Sequence, residues 1–325
     1  MTPAAESRPA RSMATTKPAP RVSIGLPVYN GDRYLEGALQ SLLAQTFSDF
    51  ELIICDNAST DGTADICRAY AAEDERISYH RNPENLGATR NFNLVFELSS
   101  GEYFRWASHD DLCAPELLER CVAELDRHPT AALCYPRTTV IDEEGHEVGF
   151  REDDLILLDS DPVKRHKAFL LRFRTNAWCE PVFGVIRSGA LRRTRLLGNF
   201  NSADVILLEE LALLGTFHEV PEHLFFRRVH PDISTRANRT PEAIAEWFDP
   251  ANCGRVVAPV GRRLLEHFRA VRTSPLGMFA KMGCYSHVTT LMISWSPGLA
   301  QELAGVVKSR FSRLGRRTDS LRDER

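Results

Sequence analysis

Asp110 and Asp111 stand side by side just after an apolar run that ends at Trp106 and Ala107. Two adjacent carboxylates at a strand end repel one another unless a cation or ordered donors lie between them. A hard divalent ion with open positions would relieve that repulsion and would bridge the two phosphates of a nucleoside diphosphate. A solvated turn ahead of a helix beginning at Pro115 would use the same two residues, so the pair alone leaves both uses open.

Stepping along the chain, three other strand-like stretches also end in polar, turn-forming residues. Val22–Leu26 is followed by Pro27, Val28, Tyr29 and Asn30, and Phe50–Cys55 by Asp56, Asn57, Ala58, Ser59, Thr60 and Asp61. Ile77–His80 is followed by Asn82, Asn85 and Gly87, and the run at Tyr103–Ala107 by Ser108, His109 and the aspartate pair. Short, continuously apolar runs fit strands covered on both faces. Between them lie helical periods: Tyr34, Leu35, Ala38, Leu39, Leu42 and Leu43; a helix through Tyr70 opened by Ser59-Thr60-Asp61-Gly62; and Ala88–Leu98. A helix from Pro115 carries Leu117, Leu118, Cys121, Val122 and Leu125, and Ala131–Tyr135 is a further strand. This alternation predicts an α/β fold with a mostly parallel, Rossmann-like central sheet flanked by helices. In such sheets ligands bind outside the carboxyl ends of the strands, where these polar clusters fall.

After Tyr135 the rhythm changes. Thr138–Asp142 and Glu147–Phe150 read as a hairpin, 162–173 as a helix and Pro181–Arg187 as a strand. Asp204–Leu214 has a helical period closed by Gly215 at the C′ position, and Leu224–His230 is a last strand. Beyond Pro241 the chain reads as helices. Residues 1–20, rich in Ala, Pro, Ser and Thr, read as a flexible tail. The expected organisation is therefore a tail (1–20), a main domain (21–235, with halves 21–135 and 136–235) and a helical C-terminal extension (236–325).

Composition removes several classes. The net charge of −4 gives no basic field for nucleic acid. No loop carries G-x-G-x-x-G or a P-loop, which disfavours dinucleotide dehydrogenases and phosphate-cradling NTPases. The eight cysteines are scattered without zinc-site spacing, as expected of reduced thiols packed as small hydrophobes. Neither a membrane-spanning run nor a secretory h-region is visible, so a cytoplasmic location is expected. Leu299, Leu303, Val306, Val307 and Phe311, followed by Arg310, Arg313, Arg316 and Arg317, form a basic amphipathic stripe. Such a stripe suits either peripheral contact with the inner membrane face or packing on the domain or a partner, a second copy included.

Five stretches carry a family resemblance: V-S-I-G-L-P-V-Y-N (22–30), S-L-L-A-Q-T-F (41–47), F-E-L-I-I-C-D-N-A-S-T-D-G-T (50–63), N-P-E-N-L-G-A-T-R-N (82–91) and G-E-Y-F-R-W-A-S-H-D-D-L-C-A-P (101–115). In this order and spacing the chain resembles the family 2 inverting glycosyltransferases of the GT-A fold, from Val22 to Tyr135 and more loosely to His230. The resemblance implies transfer of a sugar from a UDP-, GDP- or dTDP-linked donor, with Mg2+ or Mn2+. The acceptor would be a saccharide, lipid-linked or small-molecule hydroxyl in polysaccharide, glycolipid or natural-product assembly. It places Pro27, Tyr29 and Asp56 at the nucleobase and ribose, with Asn30 beside them and Asn57 where relatives often have a second Asp. Ser108 and Asp110 fall on the two positions of the family's Asp-x-Asp metal motif, with His109 between and Asp111 following. Arg90 falls near the residue that approaches the diphosphate, and His230, in Arg-Arg-Val-His, near the metal. Asp204 corresponds to the catalytic base, with Glu209 and Glu210 as runner-up carboxylates.

Two rivals stay open at this stage. A sugar nucleotidyltransferase would need a glycine-rich basic loop after the first strand, and Pro27–Arg33 offers only Gly31 and Arg33. A non-catalytic nucleotide-sugar-binding protein would keep Asp56 and Asp110 yet tolerate loss of Asp204.

Overall fold

The computed structural model describes residues 19–151, 153–175, 179–231, 233, 240–253 and 258–323, with backbone only at 174–175 and 305–323. Strands β1 (Val22–Val28), β2 (Phe50–Asp56), β3 (Ile77–Arg81) and β4 (Tyr103–Trp106) alternate with helices α1 (Asp32–Leu43), α2 (Thr63–Glu73) and α3 (Ala88–Glu97). β1 pairs in parallel with both β2 and β4, and β2 with β3, so all four strands end on one rim. The apolar runs occupy these strands because both sheet faces are covered, and every residue of β1 is buried.

The chain then forms β5 (Leu112–Cys113), α4 (Leu117–Arg127), β6 (Ala131–Ile141), β7 (Glu147–Arg151) and α5 (Pro162–Thr175). A 3-10 turn at Glu180–Phe183 leads to β8 (Val185–Arg187), the short α6 (Ser188–Leu191), α7 (Ala203–Leu214) and β9 (Thr216–Arg228). The sheet order is β3-β2-β1-β4-β8-β6-β9-β5, with β7 paired to β6. β8 runs antiparallel to both β4 and β6, and β6 lies parallel to β9. β9 therefore runs with β4, and its end at Arg228 reaches the rim where β4 ends at Trp106.

Several sequence expectations change. Pro181–Arg187 is half 3-10 turn and half strand, since Pro181 sits at the start of the turn and Gly184 N–H closes it on the Pro181 carbonyl. β6 is one strand through Pro136, and β9 begins eight residues before Leu224 and passes through Pro221. Both prolines sit where the β6–β9 register shifts, the one place a central ladder tolerates a missing N–H. Gly215 is not a left-handed cap: its φ is −161°, an extended value any residue adopts. Glycine is required instead by close approach, because a Cβ there would lie 2.5 Å from the Thr130 carbonyl oxygen.

Nine consecutive residues of α7, Val205–Leu213, are buried, more than the single apolar face its sequence period suggested. A helix apolar all round must be covered all round. The C-terminal helices α8 (Pro241–Phe248), α9 (Pro259–Thr273) and α10 (Met278–Asp323) supply the cover. Leu264 and Val271 of α9 and Cys284, Val288 and Leu291 of α10 join Leu207, Leu208 and Leu211 in one buried cluster. The side chains at 306, 307, 310, 311, 313, 316 and 317 lie outside the described residues. No helix among the described residues is long and apolar enough to cross a membrane.

At the centre of this packing the Glu209 carboxylate lies between two imidazoles, 2.7 Å from His166 Nε2 and 2.6 Å from His267 Nδ1, all three fully buried. Glu210 pairs with Arg195, which also reaches Glu266 of α9 at 2.6 Å. The two runner-up carboxylates thus tie α7 to its neighbours. Burial pulls the His166 imidazolium down, but its bonds to Cys284 and Glu209 outweigh this and push it up to about 9. Burial raises Glu209, and the two imidazoles more than reverse that, lowering it to about 2.

A raised histidine adds stability that is complete below its unfolded value of 6.5 and lost as pH rises through about 9. Glu209 adds stability present above 4.5 and lost as pH falls through about 2. Urea denaturation should therefore show stability falling between about pH 6.5 and 9, by on the order of 3 kcal/mol. Glu209→Gln should destabilise the protein by about 3–5 kcal/mol at neutral pH and flatten that slope.

Candidate active site

The loop after β4 is gripped by the end of β9. Asp111 is buried, and its carboxylate accepts from Arg227 Nη1 at 2.8 Å and from the Arg228 backbone N–H at 2.9 Å. Arg228 Nε donates to the Asp110 carbonyl at 2.9 Å, while its Nη1 holds the Asp142 and Glu143 carbonyls. Burial, opposed by Arg227 and reinforced by Asp110, pushes the Asp111 carboxyl up to about 6. Asp111, expected as a metal ligand, has both oxygens engaged by β9.

Asp110 faces the other way. Its Oδ2 accepts from His230 Nε2 at 3.0 Å and its Oδ1 from the Ser108 hydroxyl. Burial works against its ionisation, but His230, His109, Arg227 and Ser108 together hold it well below the usual carboxylate range. His230 is buried, its Nδ1 has no hydrogen-bond partner among the described residues, and its ring lies 4.8 Å from that of Tyr34. An ionised carboxylate, an imidazole with one nitrogen uncommitted and a hydroxyl form a mixed oxygen and nitrogen donor set that fits a divalent cation. His109 packs against Gly31, where a Cβ would lie 2.5 Å from its ring, and burial lowers its imidazole.

The β1 and β2 loops lock together beside this pair. Asp56, at the end of β2, is fully buried; its carboxylate accepts from Ser59 N and Tyr79 Oη at 2.8 Å and from Arg81 Nη1 at 2.5 Å. Asn30, at φ 49°, accepts from Thr60 N and donates its own N–H to Ser59 Oγ. Asn57 donates to Asn85 Oδ1 and the Gly87 carbonyl and accepts from Asn82 and Leu86 N, joining the loops after β2 and β3. Pro27 is buried within β1, whereas Tyr29 beyond it is exposed. Arg90 lies elsewhere, paired at 2.5 Å with Glu97 on the outer face of α3. It is not brought to the Asp110 pair, because its position on the helix turns it to solvent.

Asp204 sits in the first turn of α7. Since α7 ends at Leu214, immediately before β9 starts, its first turn points back towards the rim where β9 ends. Glu180, a buried residue, pairs with Arg151 at 3.2 Å and feels both Arg227 and Asp204; burial raises its carboxyl, and Arg151 and then Arg227 oppose that. Burial together with the charge and hydrogen bond of Asp204 pushes the Cys179 thiol well up. Sequence reading missed Arg81 as the partner of Asp56, Glu180 between the two ends of the cleft, and the gripping role of Arg227. The only signal available was that each lies beside a strand or turn facing the shared rim.

Fold and site together define a GT-A architecture, with loop carboxylates gathered at the carboxyl ends of a mostly parallel sheet. The family model described as Glycosyl transferase family 2 matches residues 23–199, and the chain belongs to that family. It is 36% identical over 127 residues to EpsE of Bacillus subtilis (strain 168), covering 39% of this chain and 46% of that protein. It is also 34% identical over 133 residues to the chondroitin synthase of Escherichia coli, covering 41% and 19%. The match thus spans less than half the length of these relatives. Among solved structures it is similar to S. aureus TarS 1–349 in complex with UDP (TM-score 0.52, 16% identity, 86% of this chain and 92% of that one). It is likewise similar to the mannosyltransferase PcManGT from Pyrobaculum calidifontis in complex with GDP-Man and Mn2+ (TM-score 0.50, 16% identity, 90% and 88%).

Asp111→Ala would leave the Arg227 guanidinium without its partner in a closed site. The expected loss is about 3–5 kcal/mol of stability, read by urea denaturation, with a clear fall in melting temperature.

Proposed function

We propose that this protein transfers a sugar from a nucleoside-diphosphate sugar to an acceptor hydroxyl with inversion at the anomeric carbon. What supports this most is the pairing of two unlike carboxylates on one rim: Asp110, held ionised against His230, and Asp204 at the first turn of α7, with Glu180 feeling the charges around both. Family membership and the UDP and GDP-Man complexes of similar structures point to the same donor class.

In this reading Tyr29 offers its exposed ring to the nucleobase, and the Asp56–Arg81 pair shapes the wall behind it. Asp110 and His230, assisted by Ser108, would hold a divalent ion, whose mixed donor set suits Mn2+ better than the oxygen-preferring Mg2+. Such an ion supplies charge neutralisation for the diphosphate. Asp204 takes the proton of the acceptor hydroxyl as its oxygen bonds to the anomeric carbon. The bond from that carbon to the phosphate oxygen breaks on the opposite face, and the diphosphate leaves with the electron pair. The domain bounds follow the same logic, with a donor half over residues 21–135, an acceptor half over 136–235 and helices after 236 that cover α7.

Two variants test the assignment. Asp204→Asn should lower transfer or donor hydrolysis by about 100-fold or more while UDP still binds, as expected for a general base. An unchanged rate would remove Asp204 from the chemistry and favour a sensor of nucleotide sugars. Asp110→Asn should abolish the enhancement of UDP affinity by Mn2+, measured by calorimetry with and without the ion.

A further inference from the structure

A cavity of about 500 Å3 opens beside Asp204, where the turn before α7 meets the start of α9 and the middle of α10. Its walls include Asn201, Ser202, Val260, Arg263, Trp295 and Pro297. That volume lies within the roughly 300–1,000 Å3 typical of small-molecule sites. Two of its lining residues, Asn201 and Ser202, immediately precede the turn of α7 that carries the proposed base, and the others belong to the C-terminal helices that cover α7.

Arg263 is the unusual member. Its side chain is half-buried, its Nε is buried without a partner, and its guanidinium makes no hydrogen bond among the described residues. The other arginines around it are committed: Arg262 and Arg269 to Glu266, and Arg195 to Glu210 and Glu266. Glu209 of α7 is taken by its two histidines, and Asp204 acts on Arg263 through its charge alone, with no hydrogen bond between them. Trp295 lies against the guanidinium, 4.8 Å from its carbon to the ring centroid, and fixes its plane. A desolvated cation is unfavourable until it is paired. A planar fork held on an aromatic face and open to a cavity is ready for bidentate bonds to a carboxylate or phosphate.

We infer that this cavity receives the acceptor, and that the acceptor carries an anionic group, carboxylate or phosphate, read by Arg263. The inference rests on the transferase reading above and names the substrate class for it. With the anion seated on Arg263, the remainder of the ligand extends past Asn201 and Ser202 towards Asp204, where a hydroxyl meets the base. The positive charge also offsets repulsion between the anion and the Asp204 carboxylate.

The test uses the full chain and two matched pairs of probes: p-nitrophenyl β-D-glucuronide against p-nitrophenyl β-D-glucoside, and glucose 6-phosphate against glucose. Binding is measured with and without UDP and Mn2+. At least one anionic probe should bind about tenfold or more tightly than its neutral counterpart, and Arg263→Met should bring that pair within about twofold. Whichever pair discriminates identifies the anion as carboxylate or phosphate. Arg263→Lys, which keeps the charge but not the fork, should retain part of the preference, and it decides the matter should the Met variant fail to fold. Equal affinities within both pairs for the wild type, or a preference surviving in Arg263→Met, would overturn the inference. Failure of UDP to bind would instead count against the transferase reading, because the preference for an anion is read independently of UDP.

Discussion

The site exists because the end of β9 grips the loop after β4. Asp111 and Arg228 are 117 residues apart in the chain, yet the carboxylate of one closes on the backbone N–H of the other. Two neighbouring carboxylates can be buried together only if their surroundings differ. Here Asp111 is satisfied by Arg227 and by that N–H, which frees Asp110 to point at His230 and Ser108. In a low-dielectric setting a half-satisfied network is worse than none, so the arginines and aspartates act as one unit. The Ser108 hydroxyl bonds Asp110 directly.

The second half of the cleft depends on a different constraint. α7 is too apolar to stand on the surface, and its one fully buried acid, Glu209, needs both histidines beside it. Those histidines come from α5 and α9, so helices that lie on either side of α7 in sequence are fastened to it by one carboxylate. Asp204 lies more than one turn earlier on the same fastened helix. Leu264, Val271, Cys284, Val288 and Leu291 share one buried cluster with that helix.

The first half of the fold was legible because β1 and β2 are nearly continuous apolar runs and each parallel strand is followed by turn-forming residues. Asp56, Asp110 and Asp204 could be named as candidates because the family resemblance implies a role at each of those positions. The second half was less legible because β6 and β9 both pass through prolines, which ordinarily end a central strand, and register shifts absorb them. Partners were hardest to read. Nothing in the local sequence says that Arg81 will meet Asp56, that Asp111 will be occupied by Arg227, or that Arg90 will turn outward to Glu97. These are consequences of three-dimensional closure. Asn57 is a middle case: its difference from the family pattern was visible, but its role as a four-way link between loops was not.

Pro297 lies inside α10, the longest helix of the chain. Lacking an N–H, it removes one rung of the backbone ladder and crowds the turn before it. The residues of α10 that join the main buried cluster, Cys284, Val288 and Leu291, all precede it. The helix nevertheless stays fastened past the proline: Leu299 packs against the same cluster, and the Glu302 carboxylate accepts from the Val260 and Gly261 N–H groups at the start of α9. Fraying that begins at the far end therefore meets its first tether at Glu302, a full turn beyond the proline, and amide exchange should rise steeply only after that residue.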